Sequence, residues 1–402
     1  MQVRSITLGF DIDYPLRADT VARVGRFLKE ARRRYVEAGI GVETVRCATQ
    51  PFPQALNWEE PTRAVKLAVE FERASAAEGI EYCSLGTVPA GCGPDALPFL
   101  QVLPELICGT QGVFATIEVS SRTAGVDFAA VAAAARVIAA VSCQSELGFG
   151  NLRFAALANC PPNIPFFPAA YHAGGPDRFS LALEMADLAV RALATGSPAE
   201  AEARLTADVE EAVGRVEAVA LSLERDLGAG YVGTDLSPAP FPAPGLSIGE
   251  AVENLGVGAF GTSGTLYAAA LVTRALRRAK VRRCGFSGLM MPVLEDGVLA
   301  RRAAEGLFSV QEALLYSAVC GTGLDTVPLP GDASEGQLAG VLLDVATLAT
   351  TLDKPLTARL MPIPGKKAGE ATEFAFAYFA NSAVMSLAGP GAGELLRRGL
   401  AG

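Results

Sequence analysis

His172 is the single histidine among 402 residues, and imidazole is the one side chain whose ordinary pKa suits proton transfer near neutrality. It stands in Ala170-Tyr171-His172-Ala173-Gly174-Gly175, behind Pro161, Pro162, Asn163, Pro165 and Pro168, on a constrained loop that follows a core strand. Active sites of α/β proteins gather at such loops, so a general acid or base and a hydrogen-bonded structural imidazole are both open readings. Asp235 ends a strand, and Glu295-Asp296 follow the apolar Leu289-Met290-Met291-Pro292-Val293. These three acids are either solvated turn residues or contributors to a base or divalent-cation site. Arg359 falls inside a strand pattern, where a guanidinium is costly unless paired. It reads as a carboxylate clamp or as the partner of a buried acid. Asp325 enters an apolar strand after Cys320-Gly321-Thr322-Gly323-Leu324 and needs a partner if buried. Cys320 would sit at a helix C-terminus, without the pKa lowering of an N-terminus, and is a second-rank nucleophile.

A second kind of chemistry is signalled by Gly261-Thr262-Ser263-Gly264-Thr265, followed by Leu266, Ala269, Leu271, Val272 and Leu276 at helical spacing. A glycine-rich turn on a helix N-terminus offers free N–H groups and a positive dipole end to a carboxylate or phosphate. A hydroxyl N-cap is the plainer alternative. Other glycine motifs fail on context. Gly256 to Gly261 has dinucleotide-fingerprint spacing but follows a helical pattern and lacks a downstream acid. Gly365-Lys366-Lys367 lacks the upstream glycine and the Ser or Thr of a P-loop. The eight cysteines form no C-x-x-C pair, and with one histidine a structural zinc site is not expected. No cofactor signature is present; a divalent metal would fall to Asp235, Glu295 and Asp296.

Composition narrows the class. Net charge −9 without a basic cluster argues against nucleic acid and anionic membranes, so an anionic ligand needs a local pocket. The apolar runs are interrupted well before the ~20 residues of a membrane span. The N-terminus reads as a strand from Met1 to Leu8, not a signal, and a cytoplasmic location is expected. Apolar helix faces and mean hydropathy +0.30 suggest a homodimer.

The elements that must position these residues alternate. Strands are expected at Ile80–Leu85, Val113–Val119, Leu152–Ala158 and Tyr231–Leu236, and near Cys284, Asp325–Leu329 and Leu356–Met361. Helical faces run through Val21–Tyr35, Arg63–Ala77 and Phe128–Val141, with further helices from Ser309 and Ser334. This is α/β construction around a buried, largely parallel sheet. Ser197, Pro198 and Glu200 spell a capping box opening a solvated helix that stops before Gly228. The proline-rich stretch 237–245 is apolar enough to be an ordered loop over the sheet end.

Several of these segments together resemble the DUF711, or UPF0210, family. They are Arg4-Ser5-Ile6-Thr7-Leu8-Gly9, the loop from Asn163-Ile164-Pro165-Phe166 to His172, Asp235-Leu236-Ser237-Pro238-Ala239-Pro240 and Gly261 to Thr265. Gly285-Phe286-Ser287-Gly288, Glu295-Asp296, Cys320 to Asp325 and Arg359 complete the collinear set. The resemblance implies one α/β barrel of about ten strands over residues 1–402, pyruvate formate-lyase-like, with helices outside and loops reaching inward. Two departures stand out: Ser263 occupies a family histidine position, and Gly174 to Ala194 fits loosely. The chain end, Gly389 to Leu396, lacks a glycyl-radical loop. The expectation is therefore a non-radical lyase, isomerase or hydrolase acting on a small anionic metabolite. His172, Asp235 and Cys320 would be catalytic; Thr262, Ser263, Gly264, Thr265, Ser287 and Arg359 would hold the anion. The alternative is a metabolite-binding regulator associated with ACT-domain partners.

Overall fold

The computed structural model describes residues 2–401, so Met1 of the expected first strand lies outside the described residues. The strands are β1 (Gln2–Phe10), β2 (Val42–Thr49), β3 (Tyr82–Val88), β4 (Val113–Ser121), β5 (Gly125–Val126) and β6 (Phe154–Ala158). They continue with β7 (Arg178–Glu184), β8 (Gly230–Asp235), β9 (Arg283–Cys284), β10 (Gly323–Pro330) and β11 (Leu356–Ile363). All eleven belong to one sheet in the order β10-β11-β6-β4-β3-β2-β1-β7-β8-β9, with β5 turned back on β4. Helices such as Ala18–Glu37, Arg63–Ala77, Phe128–Gln144 and Glu335–Thr351 pack against it.

The sheet is largely parallel, as expected, but two antiparallel ladders besides the short β4–β5 pair make it mixed. β1, β2, β3, β4 and β6 run one way. β7 pairs antiparallel with β1, and β11 antiparallel with β6. β8 and β9 then follow β7, and β10 follows β11. The inversion arises because β7 leaves a long irregular loop, so no helical crossover returns the chain in parallel. No ladder joins β9 to β10. The chain after β9 reaches β10 through one parallel bridge, Pro292 with Asp325. Val293 N–H donates to Asp325 O at 3.0 Å and Leu294 N–H to Thr326 Oγ1 at 3.3 Å. A register shift in β10 lies between Leu324 and Val327, and there Thr326 takes φ +43°, a rare conformation for a β-branched residue.

β6, β10 and β11 are buried along their whole length. Helices take one face; the irregular segment 159–177 lies against the other, contacting several strands. Ser84 Oγ donates to Ala170 O at 2.7 Å, His172 N–H to Thr49 O at 2.8 Å, and Phe167 packs edge-on against Phe114. The stretch 237–245 also packs inward: Ser237 to Pro240 are buried, and Phe241 N–H donates to Leu246 O at 3.0 Å.

The outer helix Pro198–Leu227 opens on the capping box Ser197/Glu200 and closes on Gly228 in the left-handed region. Its buried Glu202 meets Arg274 at 2.7 Å and Arg278 at 2.5 Å on the helix Thr265–Arg278. The Arg274 hydrogen bond holds the Glu202 carboxyl below its ordinary value. Both arginines are largely exposed, so Glu202→Gln is expected to cost only about 1 kcal/mol in urea unfolding near pH 7. The depressed pKa gives this pair its full worth above the unfolded value, and the worth is lost as pH falls through the folded one. The wild-type–variant difference should vanish in acid. A difference independent of pH would refute the pairing.

Candidate active site

The inner faces of β1 to β4 and β7, the 159–177 loop and four later segments enclose a cavity of about 100 Å³. Three guanidiniums reach it, from Arg4, Arg46 and Arg359, with the carboxylates of Glu43, Asp235 and Glu295. Tyr82, Phe114, Phe166, Phe167, Phe376 and Tyr378 give the rest of the wall an aromatic character.

Two of the guanidiniums are matched. Arg359 Nε donates to Asp325 Oδ1 at 2.6 Å and Nη2 to Glu295 Oε1 at 2.7 Å, with the Phe166 ring 5.5 Å away. Burial works against its charge, but Asp325 and Glu295 outweigh it and raise its pKa. Of the two roles open for Arg359, partner of a buried acid is the one observed, and Asp325 is that acid. Arg4 Nη1 lies 3.1 Å from Glu184 Oε1 and 3.6 Å from Glu43 Oε2, and Nη2 lies 3.5 Å from Glu295 Oε2. Glu295 thus bridges Arg4 and Arg359.

Arg46 differs. Its Nε donates to Thr44 Oγ1 at 2.9 Å, and the guanidinium carbon lies 5.4 Å from the Tyr82 ring centroid and 5.2 Å from that of Phe167. Among the described residues no carboxylate comes within ion-pair distance of it. Burial, then the like charge of Arg4, pushes its pKa down to about 10, so it stays charged at neutral pH. Neighbouring Glu43 and Glu184 interact with each other. Burial alone would raise both. Arg4 brings Glu43 below the ordinary carboxylate value, while burial and Glu43 leave Glu184 above it. Tyr378 is pushed up to about 12, chiefly by the neighbouring Glu43 carboxylate.

The expected site residues divide. Asp235 and Arg359 line the cavity. Asp235, however, is spent as a clamp: Oδ1 accepts from Ser237 N and Ser287 N at 2.9 and 3.0 Å, and Oδ2 from Phe286 N at 2.9 Å. Burial raises its pKa against these donors. A Cβ at Gly285, whose φ is +63°, would stand 2.1 Å from Asp235 Oδ2, which explains the glycine. Ser287 belongs to this turn; its hydroxyl donates to Cys284 O at 2.8 Å and accepts from Leu236 N.

His172 is not brought to the cavity. It packs on Gly9, five residues along β1 from Arg4 and so roughly 16 Å away. Its Nδ1 lies 3.0 Å from Asn163 Oδ1 and its Nε2 3.4 Å from Gly175 O. Burial lowers its pKa. The structural reading of the imidazole is the one this geometry matches.

Thr262 to Thr265 also lie away from the cavity. Thr262 Oγ1 donates to Ala259 O at 2.7 Å and Thr265 Oγ1 accepts from Gly261 N at 3.0 Å, so these hydroxyls close their own turn; Ser263 and Gly264 face outward. Cys320 is buried in the main core, its Sγ accepting from Gly323 N at 3.4 Å and its carbonyl from Lys354 Nζ at 2.5 Å. Asp296, a metal candidate, instead caps two helices. It accepts from Ser247 Oγ and Ile248 N at 2.5 and 2.6 Å, and from Val298 N and Leu299 N at 3.0 Å. With Asp235 on backbone N–H groups and Glu295 on arginines, the three acids do not converge as a hard cation requires. Among the described residues no group of three or more His, Cys, Asp or Glu is arranged to hold a metal. Arg46 and Glu43 were missed because β2 itself was unread, although Glu43, Thr44 and Arg46 interrupt an otherwise apolar strand. Among the described residues no helix is long and apolar enough to cross a membrane.

Fold and cavity define an α/β protein with a charged site on the inner face of one large mixed sheet. A family model described as "Uncharacterised ACR (DUF711)" matches residues 1–381, and the chain belongs to that family. It is 30% identical over 397 residues to a UPF0210 protein of Pyrobaculum arsenaticum, covering 92% of this chain and 87% of the relative. A UPF0210 protein of Desulforudis audaxviator is 29% identical over 423 residues, covering 99% and 93%. One from Neisseria meningitidis serogroup C is 27% identical over 402 residues, covering 92% and 87%. The family resemblance carried by the motifs is thereby confirmed.

As the only histidine, His172 can be titrated by NMR without ambiguity, and its midpoint should fall below the ordinary value of about 6.5. An imidazole kept neutral by the fold protonates more readily when unfolded. Its contribution to stability is therefore complete above that ordinary value and is lost as pH drops toward the folded one. His172→Gln should flatten this part of the stability–pH curve; a midpoint above 6.5 would contradict the burial assigned to the ring.

Proposed function

We propose that this protein is a non-radical enzyme that binds a small anionic metabolite, carboxylate or phosphate, in the cavity and transfers a proton on it. The observation that supports this reading is Arg46, a charged guanidinium lining the cavity that, among the described residues, has no carboxylate within ion-pair distance. A half-buried cation with no carboxylate in contact has lost part of its hydration, and an anionic ligand offsets that loss. The proton transfer falls to Glu43, which shares the wall with Arg46 and Tyr378 and whose carboxyl Arg4 holds below its ordinary value. Among the described residues lining the cavity there is neither histidine nor cysteine, which favours carboxylate acid–base work over thiol chemistry.

The sheet suits an interior site. Five strands run each way, and the Pro292–Asp325 bridge is the seam at which they would close into a pyruvate formate-lyase-like barrel of ten principal strands. Lyase, isomerase and hydrolase steps all fit one anion holder beside one carboxylate base.

The test combines native mass spectrometry of the purified protein, to find a retained metabolite, with binding and turnover of that compound by two variants. Arg46→Gln is expected to weaken binding about 100-fold, the worth of a charge-assisted fork. Glu43→Gln should leave binding within a few-fold and lower turnover by roughly 100-fold or more. Wild-type binding by the Arg46 variant would overturn the site assignment. Binding without turnover by the wild-type protein would favour a regulatory role instead.

A further inference from the structure

Resting on the reading in which Arg46 receives the anion, we propose that the cavity selects a small monocarboxylate with an uncharged, apolar body and discriminates against phosphate and dicarboxylates. The charge arrangement is the first reason. Arg4 and Arg359 are already matched by Glu43, Glu184, Glu295 and Asp325, which leaves one guanidinium open. Glu43 and Glu295 line the same cavity, so a second negative charge on the ligand would face carboxylates that have no counter-ion to spare.

Donor geometry is the second reason. Arg46 Nε is spent on Thr44 Oγ1, which leaves the two Nη groups, a fork that satisfies both oxygens of one carboxylate in its plane. A phosphate carries further oxygens needing donors of their own. The two strand hydroxyls nearest Arg46 and Arg4 are committed: Thr44 donates to Arg4 O at 2.8 Å and Ser5 to Pro165 O at 3.4 Å. The wall beyond is apolar, from Phe114, Phe166, Phe167, Met290 and Phe376. Unpaired phosphate oxygens there would lose hydration without compensation. An apolar ligand body gains from the same surface.

Isothermal titration calorimetry on the full chain tests this with benzoate, butyrate, succinate and inorganic phosphate as probes. Benzoate or butyrate is expected to bind at least tenfold more tightly than succinate or phosphate. Arg46→Gln, checked by circular dichroism for retained fold, should abolish that binding. Arg46→Lys, which keeps the charge but not the fork, should weaken it severalfold. Phosphate or succinate binding as tightly as benzoate, and lost in Arg46→Gln, would overturn the selectivity while leaving the anion site standing. Binding of all probes unchanged by Arg46→Gln would overturn both. Failure of both monocarboxylates to bind the wild-type protein at millimolar concentration would likewise overturn the selectivity.

Discussion

Glu295 holds the inner architecture together by sitting between two guanidiniums that belong to distant strands. One oxygen meets Arg359 on β11 and the other meets Arg4 on β1, while Glu295 itself follows the bridge between the chain after β9 and β10. One carboxylate therefore connects both flanks of the sheet to its middle. Buried ion pairs are costly to desolvate, and they endure only where geometry and further hydrogen bonds compensate. Here Arg359 has a second acid in Asp325, and Arg4 has Glu184 and Glu43. The acids of this network outnumber its two guanidiniums, and Arg46 stands beside it without a carboxylate in contact.

The positions of these charges follow from strand geometry. Alternate side chains of a strand face opposite sides, so an outer face covered by helices takes the apolar set and the inner face can carry the polar one. In β2, Val45 and Cys47 are buried in the core cluster while Thr44 and Arg46 turn toward the cavity, and Glu43, near the start of the strand, lines it outside that alternation. The 159–177 segment then fills part of the space in front of the sheet, and its Phe166 and Phe167 rings lie against Arg359 and Arg46. An irregular loop is tolerated inside because strand side chains and backbone satisfy its polar groups, as Ser84 does for Ala170 and Thr49 for His172.

Much of the scaffold was legible before any coordinates. Helical periodicity located the main outer helices, the capping box marked Ser197, and the cost of a guanidinium in an apolar strand foretold a partner for Arg359. The need of Asp325 for a counter-charge was equally readable, although sequence could not say that each answers the other. β2 and β7 were not read, because polar residues that face a cavity resemble those that face water. For the same reason Arg46 went unnoticed, whereas His172 attracted a role by being unique. Rarity along a chain carries no information on distance in space. The Gly261–Thr265 turn misled differently: its hydroxyls satisfy local backbone, which no spacing rule separates from a ligand site.

Asp296 shows how such a site comes to be assembled. Its one carboxylate starts two helices, Ile248–Val252 and Gly297–Ala304, and its bonds to Ile248 and Val298 join chain segments 48 residues apart. Each helix also has a local cap, Asp296 on Val298 and Leu299 and Ser247 on Glu250, while the bonds from Ser247 and Ile248 to Asp296 form only when the two stretches meet, against the entropy of a long loop. Glu295 is the preceding residue. The carboxylate that bridges the sheet therefore sits beside a nonlocal contact, so its position depends on two distant stretches of chain packing together and not on one local helix.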